Sequence, residues 1–156
     1  LDTSNRPHIL ALGPFRVNQG MALREATDGT SNTAMLSEIR QVEGLDTRGV
    51  IHFGLASLYQ HDFPPNPPER DPLNPAKRWE DRSRYCNRDQ DYAPCRPVSD
   101  NSWKGIWHHS VRSQHPCGVN IAMLDGSTQF ITSDIDVSTW QGIGTIDGGE
   151  LVSNAF

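Results

Sequence analysis

The chain has 156 residues, enough for one domain of ordinary size, and its net charge of −5 reflects 14 basic against 19 acidic residues. Only 35% of the residues are hydrophobic and the mean hydropathy is −0.58, so a small core and abundant loops are expected. The basic residues are dispersed, with no stripe to neutralise phosphates, which argues against nucleic-acid binding, and no apolar run approaches membrane-spanning length.

The chain begins "LDTSNRPHIL", without Met, which suggests a processed or truncated product whose targeting segment lay upstream. Any membrane association is expected only through such a missing upstream helix. Residues 8–17, "HILALGPFRV", are a short apolar stretch broken by Gly13-Pro14. Met21 to Ala26 reads as one helical turn, and Asp28-Gly29 is a strong turn signal. Thr33 to Val42 alternates loosely and predicts a strand, and "RGVIHFGLASLY" (48–59) predicts a second from its β-branched and aromatic content.

From about residue 60 to 101 no period is sustained. "DFPPNPPERDPLNP" (62–75) places six prolines in fourteen residues, and proline supplies no ladder donor. The mixed charges of residues 69–91 read as a solvated surface loop. Cys86 and Cys95 lie in one Pro- and Asp-rich stretch, "YCNRDQDYAPCRP", where a disulfide would staple the excursion and imply an oxidising compartment. Three reduced thiols in a cytosolic protein are the alternative, and Cys117 is left over in either case.

Order is expected to restart at "WKGIWHH" (103–109) and to continue through "SQHPCGVNIAMLDGSTQF" (113–130). There Val119, Ile121 and Met123 share one face, and Asp125-Gly126 predicts a two-residue type I′ hairpin turn with φ > 0 at both positions. "SDIDVSTWQGIGT" (133–145) predicts a short helix capped by Asp136 or Ser138 and ended by Gly142 or Gly144. "DGGELVSNAF" (147–156) predicts a turn and a last strand. The sum is one domain over residues 1–156, α+β and mainly antiparallel, with short helices and a long Pro-rich loop.

His115 and Asp125 are acid/base candidates, but a strand between them sets them roughly 25 Å apart at about 3.3 Å per residue, too far to share a proton. Asp125 is explained as a turn residue and His115 as a strand-entry packing residue. "DGTSNT" (28–33) clusters side-chain oxygens at Asp28, Thr30, Ser31, Asn32 and Thr33, and with Glu38 or the Asp89–Asp91 pair could form a Ca²⁺ site. The same cluster fits turns in which side chains satisfy the loop backbone, which is the favoured reading. His8, His52, His61, His108, His109 and His115 invite a transition-metal site, yet His108 and His109 point opposite ways on a strand. Trp103, Trp107 and Tyr59 fit a sugar-binding face or core packing. Ser110 and Ser113 near histidines predict no triad, and nucleophile-elbow and phosphate-loop motifs are missing.

Three blocks, "ATDGTSNTAMLSE" (26–38), "SQHPCGVNIAMLDGSTQFI" (113–131) and "WQGIGTIDGGELVS" (140–153), resemble the C-terminal half of the planctomycete-type pilin-like proteins. That family is the domain of unknown function 1559, with a C-terminal H-x(9)-DG signature, and His115 with Asp125-Gly126 fits it. The resemblance implies a pseudopilin-like, mainly β globular part carried outside the cytoplasm behind a prepilin helix that this sequence lacks. The family's biochemical role is not established, and no enzymatic activity is expected because no nucleophile–base pair is visible in the sequence. A non-enzymatic structural or assembly protein with a protein partner, or self-assembly, is the expected function. The alternative is a module binding Ca²⁺, a small solute or a glycan. Cys117 departs from the family pattern, where Gly is usual.

Overall fold

A computed structural model describes residues 13–15, 19–52, 56–98 and 107–149. Its elements are a 3-10 turn at Leu23–Glu25, β1 (Ala34–Ser37), β2 (Asp81–Ser83), β3 (Cys95–Pro97), β4 (Gly118–Met123), β5 (Thr128–Thr132) and α1 (Val137–Gly142). Strands β1, β4 and β5 form an antiparallel sheet in the order β1-β4-β5, while β2 and β3 pair in parallel as a second, two-stranded sheet. The architecture is therefore α+β and mostly antiparallel, with few and short helices.

The large sheet follows from alternation. Val119, Ile121 and Met123 of β4 turn inward and are buried, and Ile131 of β5 and Ala34 of β1 join them. Trp140 and Ile143 close the core from α1 and its C-cap, against Val111. Burying each large aliphatic side chain contributes about 1.5–3 kcal/mol, so this short list carries much of the fold. The alternation of β1 is loose because its register with β4 shifts: Ala34 faces Met123 but Leu36 faces Ala122, leaving Met35 as the extra residue of a bulge. Asp136 caps α1 by accepting the Thr139 N–H at 2.9 Å and the Ser138 hydroxyl.

The hairpin turn differs from the type I′ expectation. Gly126 alone has positive φ (86°), the Gly126 N–H donates to Met123 O, and the Met123 N–H donates to Ser127 O. This is a type I turn over Leu124–Asp125 followed by a glycine bulge, a three-residue loop. Asp125 stays at negative φ because its carboxylate is used within the turn, accepting from the N–H and hydroxyl of Ser127 at 2.9 and 2.7 Å. Both interactions hold the exposed Asp125 carboxyl below the usual carboxylate range.

The second predicted strand, 48–59, is not formed among its described residues. Val50 N–H donates to Thr47 O and Gly49, at φ 72°, donates to Ala56 O, so local turns take up the ladder groups. Residues 61–80 run in turns and bends. Pro65 and Pro67 are fully buried, which an imino acid tolerates because it brings no N–H that needs a partner. Between them Asn66, at φ 51°, donates from its amide to Gly118 O and accepts the Ser113 N–H, tying the segment to the start of β4. Residues 69–91 are not the solvated loop expected: Trp79, Glu80, Asp81 and Ser83 are buried. The strands β2 and β3 escaped detection because three residues cannot show a period. The Cys86–Cys95 disulfide closes the crossover between them. Most of residues 8–17, and all of 99–106 and 150–156, lie outside the described residues, and so does the last strand predicted at the C-terminal end.

Candidate functional site

The three sequence blocks converge in space. Asp28, in the first, accepts N–H groups of Gly148 and Gly149 at 2.8 and 2.9 Å and the Thr145 hydroxyl at 3.2 Å, all from the third. The hairpin turn of the second block docks on the first: Leu124 N–H donates to Thr33 O and Asp125 N–H to Thr30 O. Within the first block, the Asn32 amide donates to Asp28 O and the Thr33 hydroxyl to Gly29 O. Of the groups proposed as cation ligands, the Asp28 carboxylate thus serves backbone donors, the Asn32 amide and Thr33 hydroxyl donate to backbone carbonyls, Thr30 accepts through its own carbonyl, and Ser31 is exposed. Glu38 is not among them. Among the described residues no three His, Cys, Asp or Glu side chains cluster as metal ligands would.

Glu38 lies just beyond β1 and meets His115 instead. His115 Nε2 is 3.1 Å from Glu38 Oε1, and Asn120 N–H donates to Glu38 Oε2 at 2.8 Å. The same His115 nitrogen is 3.0 Å from the Asn120 amide. One nitrogen cannot donate to a carboxylate and also accept an N–H, so the carboxylate fixes Nε2 as the donor and Asn120 turns its amide oxygen to it. His115 N–H donates to Ser113 Oγ, and its ring meets Phe130 edge-on at 6.2 Å. Asp125 is at the other end of the hairpin, so the signature His and Asp do not meet. The true partner of His115 was invisible in sequence because it lies 77 positions away.

Beside this pair is an open groove of about 460 Å³, lined by residues 38–41 on one wall and 112–115 on the other. Arg112 N–H donates to Glu38 O and holds the walls together. Behind it sits a buried ionic network. Asp81 accepts Arg48 Nη1 at 2.9 Å, Arg112 Nε at 3.2 Å and Ser110 N–H at 2.8 Å, and Arg48 also grips Asp46 at 2.7 Å. Burial alone would push the Asp81 carboxyl up, but Arg112 and Arg48 outweigh it and hold it below the ordinary range.

A further chain joins Asp62 Oδ2 to His108 Nδ1 (3.2 Å) and His108 Nε2 to Ser110 Oγ (3.3 Å), the order of a hydrolase triad that the sequence reading did not foresee. The signal was the i, i+2 spacing of His108 and Ser110, which places both on one side of an extended segment. Its surroundings do not favour nucleophilic attack. Ser110 is 1% exposed, and its N–H is spent on Asp81, so a carboxylate stands where an oxyanion would need a donor.

The remaining histidines are dispersed. His61 stacks on Trp140 at 3.9 Å between ring centroids and bonds Trp140 O, and burial brings it down to about 4. His109 meets Trp107 edge-on, His52 is exposed in a turn, and His8 lies outside the described residues, as does Trp103. Trp107 is buried and Tyr59 packs against the core, so neither presents an open aromatic face. Cys117 is a free, exposed thiol at φ 63°. A glycine preference there has its reason in that left-handed backbone.

With this geometry in place, comparison shows that the chain belongs to the family described as protein of unknown function (DUF1559), whose model matches residues 10–138. The first two blocks lie inside the match and the third beyond it. No curated protein and no solved structure matches the chain.

Proposed function

We propose, on the premise of that membership, that the protein is a non-enzymatic, pseudopilin-like domain working outside the cytoplasm in a structural or assembly role, through a protein partner or through copies of itself. One observation carries this reading: the polar side chains of the signature are spent inside the domain. Asp125 holds its own turn, His115 holds Glu38, and Asp28 clamps the segment after α1. Such a motif builds a rigid body to be presented rather than a centre that turns over substrate. The Cys86–Cys95 disulfide supports an oxidising compartment.

The test is cross-linking in the native cell envelope followed by size analysis of the purified protein. Defined heteromeric or self-associated species are expected. A chain that stays monomeric over a wide concentration range and cross-links to nothing would refute the role. Blocking free thiols before and after reduction checks the compartment: Cys86 and Cys95 should label only after reduction.

A further inference from the structure

Folding sorts the charges that alternate along residues 69–98. Half of the chain's 14 basic residues fall in this segment and every one is exposed, whereas the acids Asp71, Glu80 and Asp81 are buried. The parallel pairing of β2 with β3 sets Arg82 beside Arg96 on one face, on strands about 4.8 Å apart. Glu80 draws Arg78 and Arg96 together, at 3.1 and 3.3 Å. Arg84 is stacked on Tyr85 at 5.3 Å, and Arg82 has no ion-pair partner among the described residues. A bridge between Arg70 and Arg78 closes a loop that carries Leu73, 96% exposed. Arginine and aromatic side chains are what protein interfaces enrich, while lysine is depleted there.

The hairpin end of the large sheet has the opposite sign. No Lys or Arg follows Arg112 in the chain. Asp125 docks on Thr30 through its N–H, and Asp147 lies between Ile146, which accepts the Asp28 N–H, and Gly148, which donates to the Asp28 carboxylate. Asp125 and Asp147 are both exposed. The neighbouring 3-10 turn presents Leu23, 60% exposed, and its Arg24 and Glu25 offset each other. The arginine face joins the sheet at the other end: Asp81 of β2 holds Ser110 and Arg112, and Ser113 Oγ donates to Gly118 O where β4 begins. Six residues of β4 separate that point from the turn, roughly 20 Å at about 3.3 Å per residue and beyond a Debye length at physiological salt. Among the described residues no ion pair joins the two groups.

We propose that the arginine face of β2 and β3 is the docking site for a second copy of this chain, which presents its hairpin end with Asp125, Asp147 and Leu23. This rests on the assembly reading and names the surface that reading would use. The occupant follows from complementarity, since each face pairs charges of one sign with an exposed leucine and the same chain carries both. The contact joins two different surfaces, so every copy added leaves one of each open, and association proceeds head to tail. A chain of net charge −5 repels its copies in most orientations, so association that weakens with salt requires an oriented contact of this kind.

The test is sedimentation velocity of the purified disulfide-bonded chain from about 10 µM to about 1 mM, at about 20 and about 500 mM NaCl. Species that grow with concentration and shrink several-fold in abundance at high salt are expected. Arg82→Glu with Arg84→Glu, and separately Asp147→Lys, should each weaken association about tenfold while keeping Tm within about 2 °C, because all three positions are exposed. Mixing the two variants should restore association, since each supplies the face the other lacks. Should a variant fail to fold, the wild-type chain decides: carbodiimide coupling in a mixture of isotopically labelled and unlabelled chain should join Lys77 of one copy to Asp125 or Asp147 of another. Association unmoved by salt and by both variants, or coupling confined to other surfaces, would overturn the docking face and leave the assembly reading standing. A monomer that cross-links only to another protein in the envelope does the same. A monomer that binds dextran sulfate through Arg82 and Arg84 overturns the docking face in favour of an anionic polymer. A monomer that cross-links to nothing refutes both readings.

Discussion

The two halves of the molecule are held by opposite means. Around β1, β4, β5 and α1, stability comes from apolar burial, with Trp140, Ile121 and Met123 fully enclosed. Around β2 and β3 the buried groups are charged: Asp46, Arg48, Asp81 and Arg112, their side chains 0–4% exposed, behind one disulfide. The first kind of core tolerates imprecision because it is non-directional. The second does not, since every charge removed from water must find its counter-charge and hydrogen bonds together. A chain with so few hydrophobic residues builds one apolar core and secures the remainder with ions and a cross-link.

The largest expected effect tests that contrast directly. Asp81→Asn keeps the shape but leaves Arg48 and Arg112 without their shared charge, and should cost about 3–5 kcal/mol in urea unfolding. A loss below about 1 kcal/mol would mean the ions are not what holds this half. In the apolar half, His61 offers a pH test. Its folded value of about 4 lies below the unfolded value of about 6.5, so its stabilisation is complete above about pH 6.5 and is lost as the pH falls toward 4. Roughly 3 kcal/mol, or about 10 °C in Tm, should disappear across that window, and His61→Gln should flatten the profile. Asp81 has the depressed value of a paired carboxylate, so its share persists to about pH 4 and is lost only below it. On acidification, the apolar half should therefore weaken before the ionic half.

Removing the staple is the next step down. Replacing Cys86 and Cys95 together by alanine should cost about 2–3 kcal/mol, read by chemical unfolding, with amide exchange rising around residues 81–97 more than in β4 and β5. The smallest effect has the opposite sign. Cys117→Gly relieves a left-handed backbone at an exposed position and should stabilise by about 1 kcal/mol. An unchanged midpoint would show that the Cys117 side chain compensates its own strain.

The parts legible in the sequence were those with local causes. The alternation of Val119, Ile121 and Met123, the bend at Gly126 and the cap at Asp136 each depend on residues a few positions apart. The pairing of Cys86 with Cys95 is nearly as local, at nine positions. The errors occurred where local preference met a competing partner. Asp125 kept negative φ because Ser127 satisfied its carboxylate, and β-branched residues at 48–52 went into turns because Gly49 and Thr47 took the backbone bonds.

By itself, then, the sequence determined a small antiparallel core, its hairpin, its capped helix and its family. Only the tertiary structure decided what the polar residues are for. Asp28 became a clamp for residues 148–149, His115 a partner of Glu38, and Asp81 the centre of a buried charge network. The reason is physical: apolar residues announce burial through their periodicity, whereas a charge or hydrogen-bond donor is defined by whichever distant group completes it.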